Sequence, residues 1–292
     1  MNINGEKMNE NISVLAGIVT FNPEIDRLTE NILAICPQVE KVILVDNGSN
    51  NVSEIEKITH NLPEIDLIKF EKNLGIAAAL NQIGDFAVAK KFDYFITMDQ
   101  DSVALPKLIE EYKKYLYLPN IGLLNSYHKD RNLKVNKPQN TLVVENPRMI
   151  TSGSFMKTSL FYEGFRYDED LFIDKVDFDI DIALMRAGYK LYQIPFYGFL
   201  HEVGSIQSHS FLGIKTVTYN HSPFRRYYIS RNSVILLKKY GLTKETSKYI
   251  VENIGKQIKT ILFEDKKREK SQAVWRGFID GVKYKKSLNK DK

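Results

Sequence analysis

Asp99 and Asp101 stand one residue apart in ITMDQDS, Ile96 to Ser102, at the end of an apolar run. A strand entering a core cannot bury two carboxylates, whereas a turn at this point lets both face one spot. Paired oxygen donors suit a hard divalent cation, Mg2+ or Mn2+, and magnesium needs few carboxylates when substrate phosphates complete its shell. An ion so held neutralises a diphosphate and stabilises it as a leaving group. The competing reading of Asp-X-Asp is a solvated turn with a helix cap. The place of the pair in the fold decides.

Other residues carry related chemistry. Asn73-Leu74-Gly75 opens a helical stretch, where free backbone N–H groups favour an anion. Arg225, Arg226 and Arg231 offer forked guanidinium groups that match phosphate oxygens. On a helix Arg225 and Asn232 share a face and Arg226 lies on another, so at least one arginine is expected to be a packing or solvated group. His201, one of five histidines, follows an apolar strand and is either structural or a ligand.

The elements that must position these residues alternate. Strand-like runs occur at Ser13–Thr20, Lys41–Asn47, Ile65–Glu71 and Asp93–Asp99. Between them Ile25, Leu28, Ile32 and Cys36 form one helical stripe, and an alanine-rich helix starts at Ile76. Such alternation predicts a parallel sheet covered on both faces, with right-handed crossovers. Ligands of open α/β sheets sit beyond the carboxyl ends of the strands. Thr20-Phe21-Asn22, Asp46-Asn47-Gly48 and Asp99-Gln100-Asp101 are therefore expected on one rim. Later, Ile180, Ala183, Leu184 and Ala187 predict a helix stopped at Gly188, and Ser222-Pro223 predicts a capped helix start.

The ordered series VTFN, VDNGS, NLGIAAALN, MDQDS, SGS, FIDKVDFD, GFLHEVGS and HSPFRRYYISRN resembles the family 2 glycosyltransferases. More narrowly it resembles the bacterial rhamnosyltransferases of surface polysaccharide (cell wall or capsule) synthesis. The similarity covers roughly Val14 to Asn232. It implies an α/β fold of the GT-A type, with a central mostly parallel sheet flanked by helices and a helical C-terminal extension. A catalytic domain over 13–221 is expected, its nucleotide-sugar half about 13–102 and its acceptor half about 103–221, followed by a helical region over 222–292.

The resemblance further implies an inverting, metal-dependent transfer, with L-rhamnose from dTDP-L-rhamnose the leading donor and a glycan or lipid-linked acceptor. Alternatives are galactofuranose or glucose from a UDP donor, or a non-catalytic nucleotide-sugar-binding scaffold. Asp46 is then expected at the pyrimidine base beside Thr20 and Asn22. Phe21 either stacks on that base or is an ordinary core aromatic. Asn73, Gly75, Asn81, Gln100 and Ser154 border the donor, Asp99 approaches the ribose or the ion, and Asp101 and His201 bind the ion. Inversion needs one base to take the acceptor's proton. The family places it in Glu-Asp-X-Asp, which reads VDFD here, so the base falls on Asp177, with Asp174 and Asp179 as rivals. A capping role for Asp177 at the helix start is the alternative.

Composition limits the rest. The 292 residues, 43% hydrophobic and 26% charged, suffice for a full core. No apolar run approaches the roughly 20 residues of a membrane span, and the polar start MNINGEKMNENIS lacks a signal-peptide core. The single Cys36 excludes an internal disulfide and points to a reducing cytoplasm. Lys266–Lys292 holds ten Lys/Arg against three acids, leaving −2 for everything before it. That argues for an anionic surface met by the tail and against a nucleic-acid groove. There Trp275, Phe278, Ile279 and Val282 form a stripe among Arg276, Lys283, Lys285 and Lys286. The stripe fits a membrane interface at the inner face of the cell membrane, a dock on the protein's own body, or a dimer contact.

Overall fold

The protein, here a computed structural model, is described over residues 12–60, 62, 64–131, 141–201, 207–211 and 214–285, with backbone path only for 207–211 and 214–215. The chain before residue 12, positions 202–205 of the GFLHEVGS motif and the tail from Lys286 lie outside the described residues. The chain forms two compact units, Met1–Phe172 with Val176–Glu202, and Ile173–Lys175 with Val203–Lys292. A hairpin precedes the C-terminal helices in the second unit, and Lys259 from those helices donates to the Val217 carbonyl within it at 3.4 Å.

The first unit is a mixed sheet flanked by helices. Its strands are β1 (Val14–Thr20), β2 (Lys41–Asp46), β3 (Ile65–Lys69), β4 (Tyr94–Asp99), β5 (Val103–Ala104), β6 (Ile121–Asp130), β7 (Val144–Glu145), β8 (Ser154–Lys157) and β9 (Lys190–His201). They lie in the order β3-β2-β1-β4-β8-β6-β9-β5, with β7 also on β9. The block β3-β2-β1-β4 and the pair β6-β9 are parallel, while β8, β5 and β7 pair antiparallel. β1 and β2 read as near-continuous apolar runs because both faces are covered, and each is buried along almost its whole length.

The covering helices are α1 (Ile25–Ile35), α2 (Val52–His60), α3 (Ile76–Ala89), α4 (Leu108–Lys113), α5 (Thr158–Tyr162) and α6 (Val176–Arg186). On α1 the stripe runs through Leu28, Ile32 and Ile35, all fully buried, and Cys36 falls in the 3-10 turn that follows. Each such side chain contributes about 1.5–3 kcal/mol. α6 departs from the expected single face. Val176, Asp179, Ile180, Asp181, Ile182 and Leu184 are buried while Ala187 is exposed, so its first two turns are enclosed on most sides.

The second unit comprises the hairpin β10 (Gln207–Phe211) and β11 (Ile214–Thr218) and three helices, α7 (Pro223–Tyr240), α8 (Lys244–Phe263) and α9 (Lys267–Lys283). Ser222 caps α7 as expected, its side chain accepting from the Arg225 N–H. Thr243 and Thr246 close a reciprocal capping box at the start of α8.

Candidate active site

Parallel register brings the strand ends together. Val19 pairs with Asp99 and Thr20 with Asp46, so β1, β2 and β4 finish at one level. At that level Thr20 Oγ1 donates to Asp46 Oδ1 at 3.0 Å, and the Ser49 N–H donates to Asp46 Oδ2 at 2.9 Å. Ser49 Oγ also donates to Oδ1 at 2.5 Å. Thr20 and Asp46 are thus buried in a knot that binds the loops. What that knot holds at the surface is Phe21, 43% exposed. Asn22, at positive φ, accepts from the Asn50 N–H, while its own N–H donates to Ser49 Oγ.

A second set of contacts forms where β3 leads into α3. Asn73 Oδ1 accepts from Asn47 Nδ2 at 3.0 Å and from the Gly75 N–H at 2.9 Å. Asn47 Oδ1 in turn accepts from the Leu74 N–H. Gly48 and Gly75 both have positive φ, where a side chain is strained. A Cβ on Gly48 would meet the Lys72 and Asn73 backbone at 2.6–2.8 Å, and one on Gly75 would meet Phe172 at 2.7 Å.

The Asp-X-Asp pair lies across the rim. Asp99, Asp101 and His201 each offer a ligand atom, and these atoms lie within 4.8 Å of one another. His201 arrives at the end of β9, one position past the Leu200 that pairs with Val103. Its Nδ1 lies 2.9 Å from Ser102 Oγ and 4.0 Å from Asp99 Oδ2. Two carboxylates and an imidazole, all partly exposed, form a donor set suited to Mg2+ or Mn2+. The Asp99 N–H donates to Ser152 Oγ, and Asn31 Nδ2 donates to the Asp99 carbonyl, so the pair stands on a fixed backbone. Gln100 Oε1 accepts from the Phe21 N–H at 2.8 Å, which ties this loop to the end of β1.

Two expected donor contacts are engaged elsewhere. Asn81 is buried and clamps the 167–169 loop, its amide bonding the Tyr167 carbonyl and N–H and Glu169. Ser154 is buried, its hydroxyl donating to the Ile150 carbonyl at 2.6 Å. Polar residues adjoining a motif look alike in sequence whether they face the ligand or brace the loop.

The carboxylates around α6 also sort themselves. Asp177 lies in the first turn and is partly exposed, whereas Asp179 is buried. Asp181, one turn beyond Asp177, is fully buried and accepts from the Met149 N–H at 2.7 Å. Burial, with Asp177 nearby, lifts the Asp181 carboxyl well above the usual carboxylate range despite that hydrogen bond. Ahead of α6, Phe172, Asp174 and Lys175 all adopt positive φ without a glycine among them. Such strain costs about 1–3 kcal/mol per residue and persists only where surroundings over-determine it.

In the second unit the arginines have their own partners. Arg225 grips both oxygens of Asp174, at 3.2 and 2.5 Å, while Asn232 Nδ2 donates to the Ile173 and Asp174 carbonyls. The shared face of Arg225 and Asn232 thus holds the strained segment, and Asp174 is paired instead of open as a base. Arg226 is the packing group, buried at 2% exposure against Glu264, which also binds Lys270. Arg231 donates to Asn232 and lies over the Tyr228 and Tyr284 rings.

Residues 16–169 match the model of "Glycosyl transferase family 2". The chain belongs to that family. It is 30% identical over 250 residues to the dTDP-rhamnosyl transferase RfbF of Shigella flexneri, an alignment covering 78% of this chain and 81% of that one. Among solved structures it resembles S. aureus TarS 1-349 in complex with UDP-GlcNAc, with a TM-score of 0.61 and 14% identity over 93% of this chain and 81% of that. It also resembles GalNAc-T7 with UDP, GalNAc and Mn2+, with a TM-score of 0.55 and 14% identity over 84% of this chain and 55% of that. These structural likenesses place the glycosyltransferase in the GT-A fold. Among the described residues no helix is long and apolar enough to cross a membrane.

Proposed function

We propose that this glycosyltransferase moves L-rhamnose from dTDP-L-rhamnose to a hydroxyl of a glycan or lipid-linked acceptor in cell-surface polysaccharide synthesis, with inversion at the anomeric carbon. The observation that carries it is the Asp99, Asp101 and His201 cluster at the rim of strand ends, in a chain 30% identical to a dTDP-rhamnosyl transferase. Those three side chains would hold Mg2+ or Mn2+, which when bound neutralises the donor diphosphate and makes it a better leaving group.

The chain's own groups do the rest. Phe21, lifted to the surface by the Thr20–Asp46–Ser49 knot, offers a ring face for the thymine. The Asn73–Gly75 turn at the start of α3 presents its backbone to the diphosphate or sugar. Asp177 takes the acceptor hydroxyl's proton as that oxygen bonds to the anomeric carbon. The carbon–phosphate oxygen bond breaks in the same displacement, and its electron pair leaves with dTDP.

The test is donor turnover by the purified chain against dTDP-L-rhamnose, UDP-galactofuranose and UDP-glucose, with and without Mn2+. Release of dTDP that requires the ion, without comparable turnover of the UDP sugars, supports the proposal. No turnover of dTDP-L-rhamnose with any acceptor overturns it. A scaffold role predicts instead that Asp101→Ala leaves every measured property except ion binding unchanged.

A further inference from the structure

α8 and α9 turn apolar side chains outward. On α8 the outward row is Val251, Ile254, Ile258 and Ile261, at 68%, 57%, 54% and 51% exposure, while Thr246, Tyr249 and Thr260 are buried. The spacing of three, four and three makes one continuous row along the helix. A helix with its polar residues inside and its aliphatic residues outside inverts the ordinary pattern. On α9 the inner face is Ala273, Gly277 and Gly281, packed so closely on α7 that a Cβ on Gly277 would lie 2.3 Å from the Tyr227 carbonyl oxygen. The tail helix therefore docks on its own unit through small residues and the buried Lys270, while its aromatic and aliphatic row stays outside. Trp275 is 63% exposed and Val282 53% exposed.

Charge indicates what covers these rows. Residues 203–292 hold 20 Lys and Arg against 7 Asp and Glu, a net +13, whereas residues 1–202 sum to −8. Lys267, Arg268, Arg276 and Lys283 are exposed on α9 around the aromatic row, and Lys244 and Lys248 are exposed at the start of α8. A second copy would bring two units of +13 together, and a nucleic acid would leave the aliphatic row uncovered. An anionic bilayer supplies both the negative surface and the acyl layer that such faces need.

We infer that the outward faces of α8 and α9 form a docking surface for an anionic lipid bilayer. Trp275 is the sole tryptophan in the chain, so its emission reports on this surface alone. The full chain is titrated with vesicles of pure phosphatidylglycerol and of pure phosphatidylcholine, and emission and vesicle flotation are followed. A blue shift and flotation with phosphatidylglycerol only, both weakened by salt, are expected. Lys267→Glu with Arg268→Glu should lower partition by at least about tenfold. Ile254→Ser with Ile258→Ser should lower flotation as well, and all four positions are exposed, so the fold should survive. Unmoved emission with phosphatidylglycerol, or an equal response to phosphatidylcholine, overturns the inference. So does a dimer in sedimentation that the isoleucine pair dissolves while vesicles leave emission unchanged, because a second copy would then be the occupant.

Discussion

Ser102 Oγ lies 2.9 Å from His201 Nδ1, joining the end of the β4 turn to the end of β9 across 99 residues of chain. The contact fixes the imidazole ring beside Asp99 and Asp101. With Nε2 as the nitrogen that binds an ion, a partner on Nδ1 orients the ring, and its removal typically weakens binding about 10–100-fold. Ser102→Ala is expected to lower Mn2+ affinity by that factor, while His201→Ala lowers it further. Manganese titration followed by electron paramagnetic resonance measures both, independently of turnover. An unchanged affinity in Ser102→Ala would show that the ring needs no such support.

Asp177→Asn removes the proposed base while keeping its shape. The expected outcome is a kcat reduced by about 10²–10⁴-fold, with the KM for the donor nearly unchanged. Steady-state kinetics with Asp174→Asn as a parallel variant separates the two carboxylates. Asp174 is gripped by Arg225, so its variant should act mainly on stability.

Burial holds the Asp181 carboxyl well above the usual carboxylate range, and it accepts from the Met149 N–H. Asp181→Asn keeps an acceptor for the Met149 N–H and is expected within about 1 kcal/mol of the native stability. Asp181→Ala leaves that buried N–H without its acceptor and should cost about 1–3 kcal/mol. Urea denaturation at pH 7 distinguishes them, and equal losses would mean that the Met149 contact contributes nothing to stability.

Gly48→Ala and Gly75→Ala each set a Cβ against backbone at positive φ. Each is expected to lose at least about 1 kcal/mol of stability. Donor affinity should fall with it, since the neighbouring loop has to shift. Thermal unfolding with and without dTDP reads both effects.

His221 is pulled down from 6.5 to about 4, first by burial and then by Arg225, with Arg226 and Lys256 adding to the effect and Asp174 opposing it. The unfolded chain then takes up a proton near pH 6.5 and the folded one only near pH 4. Stability is therefore unaffected by this group above about pH 6.5 and declines as pH falls toward about 4, by about 2 kcal/mol after allowance for partial exposure. His221→Gln should flatten that part of the stability profile, measured by denaturation at a series of pH values.

The first hundred residues are legible because two-sided burial writes a parallel strand as an unbroken apolar run. VLAGIVT and KVILVD become β1 and β2 with ends within a residue of expectation. The acidic pair and His201 come together for the same reason, since strand ends of one sheet must share a rim. The antiparallel insertion of β8 between β4 and β6 is not legible, because four residues carry no directional signal. Nor is the strained turn before α6, where Phe172, Asp174 and Lys175 adopt a conformation that sequence normally announces with glycine. The run HSPFRRYYISRN reads as phosphate chemistry, yet Arg225 and Asn232 hold the 173–174 segment and Arg226 is buried. A guanidinium suits a carboxylate as well as a phosphate, and only placement tells which it meets.

The stretch that matches the family model stops at residue 169, while β9 delivers its histidine thirty-two residues later. A fragment trimmed to those limits would keep the acidic pair but lose the strand beside β6 and the third corner of the cluster. During synthesis, likewise, two corners emerge from the ribosome well before the last, so the cluster closes late.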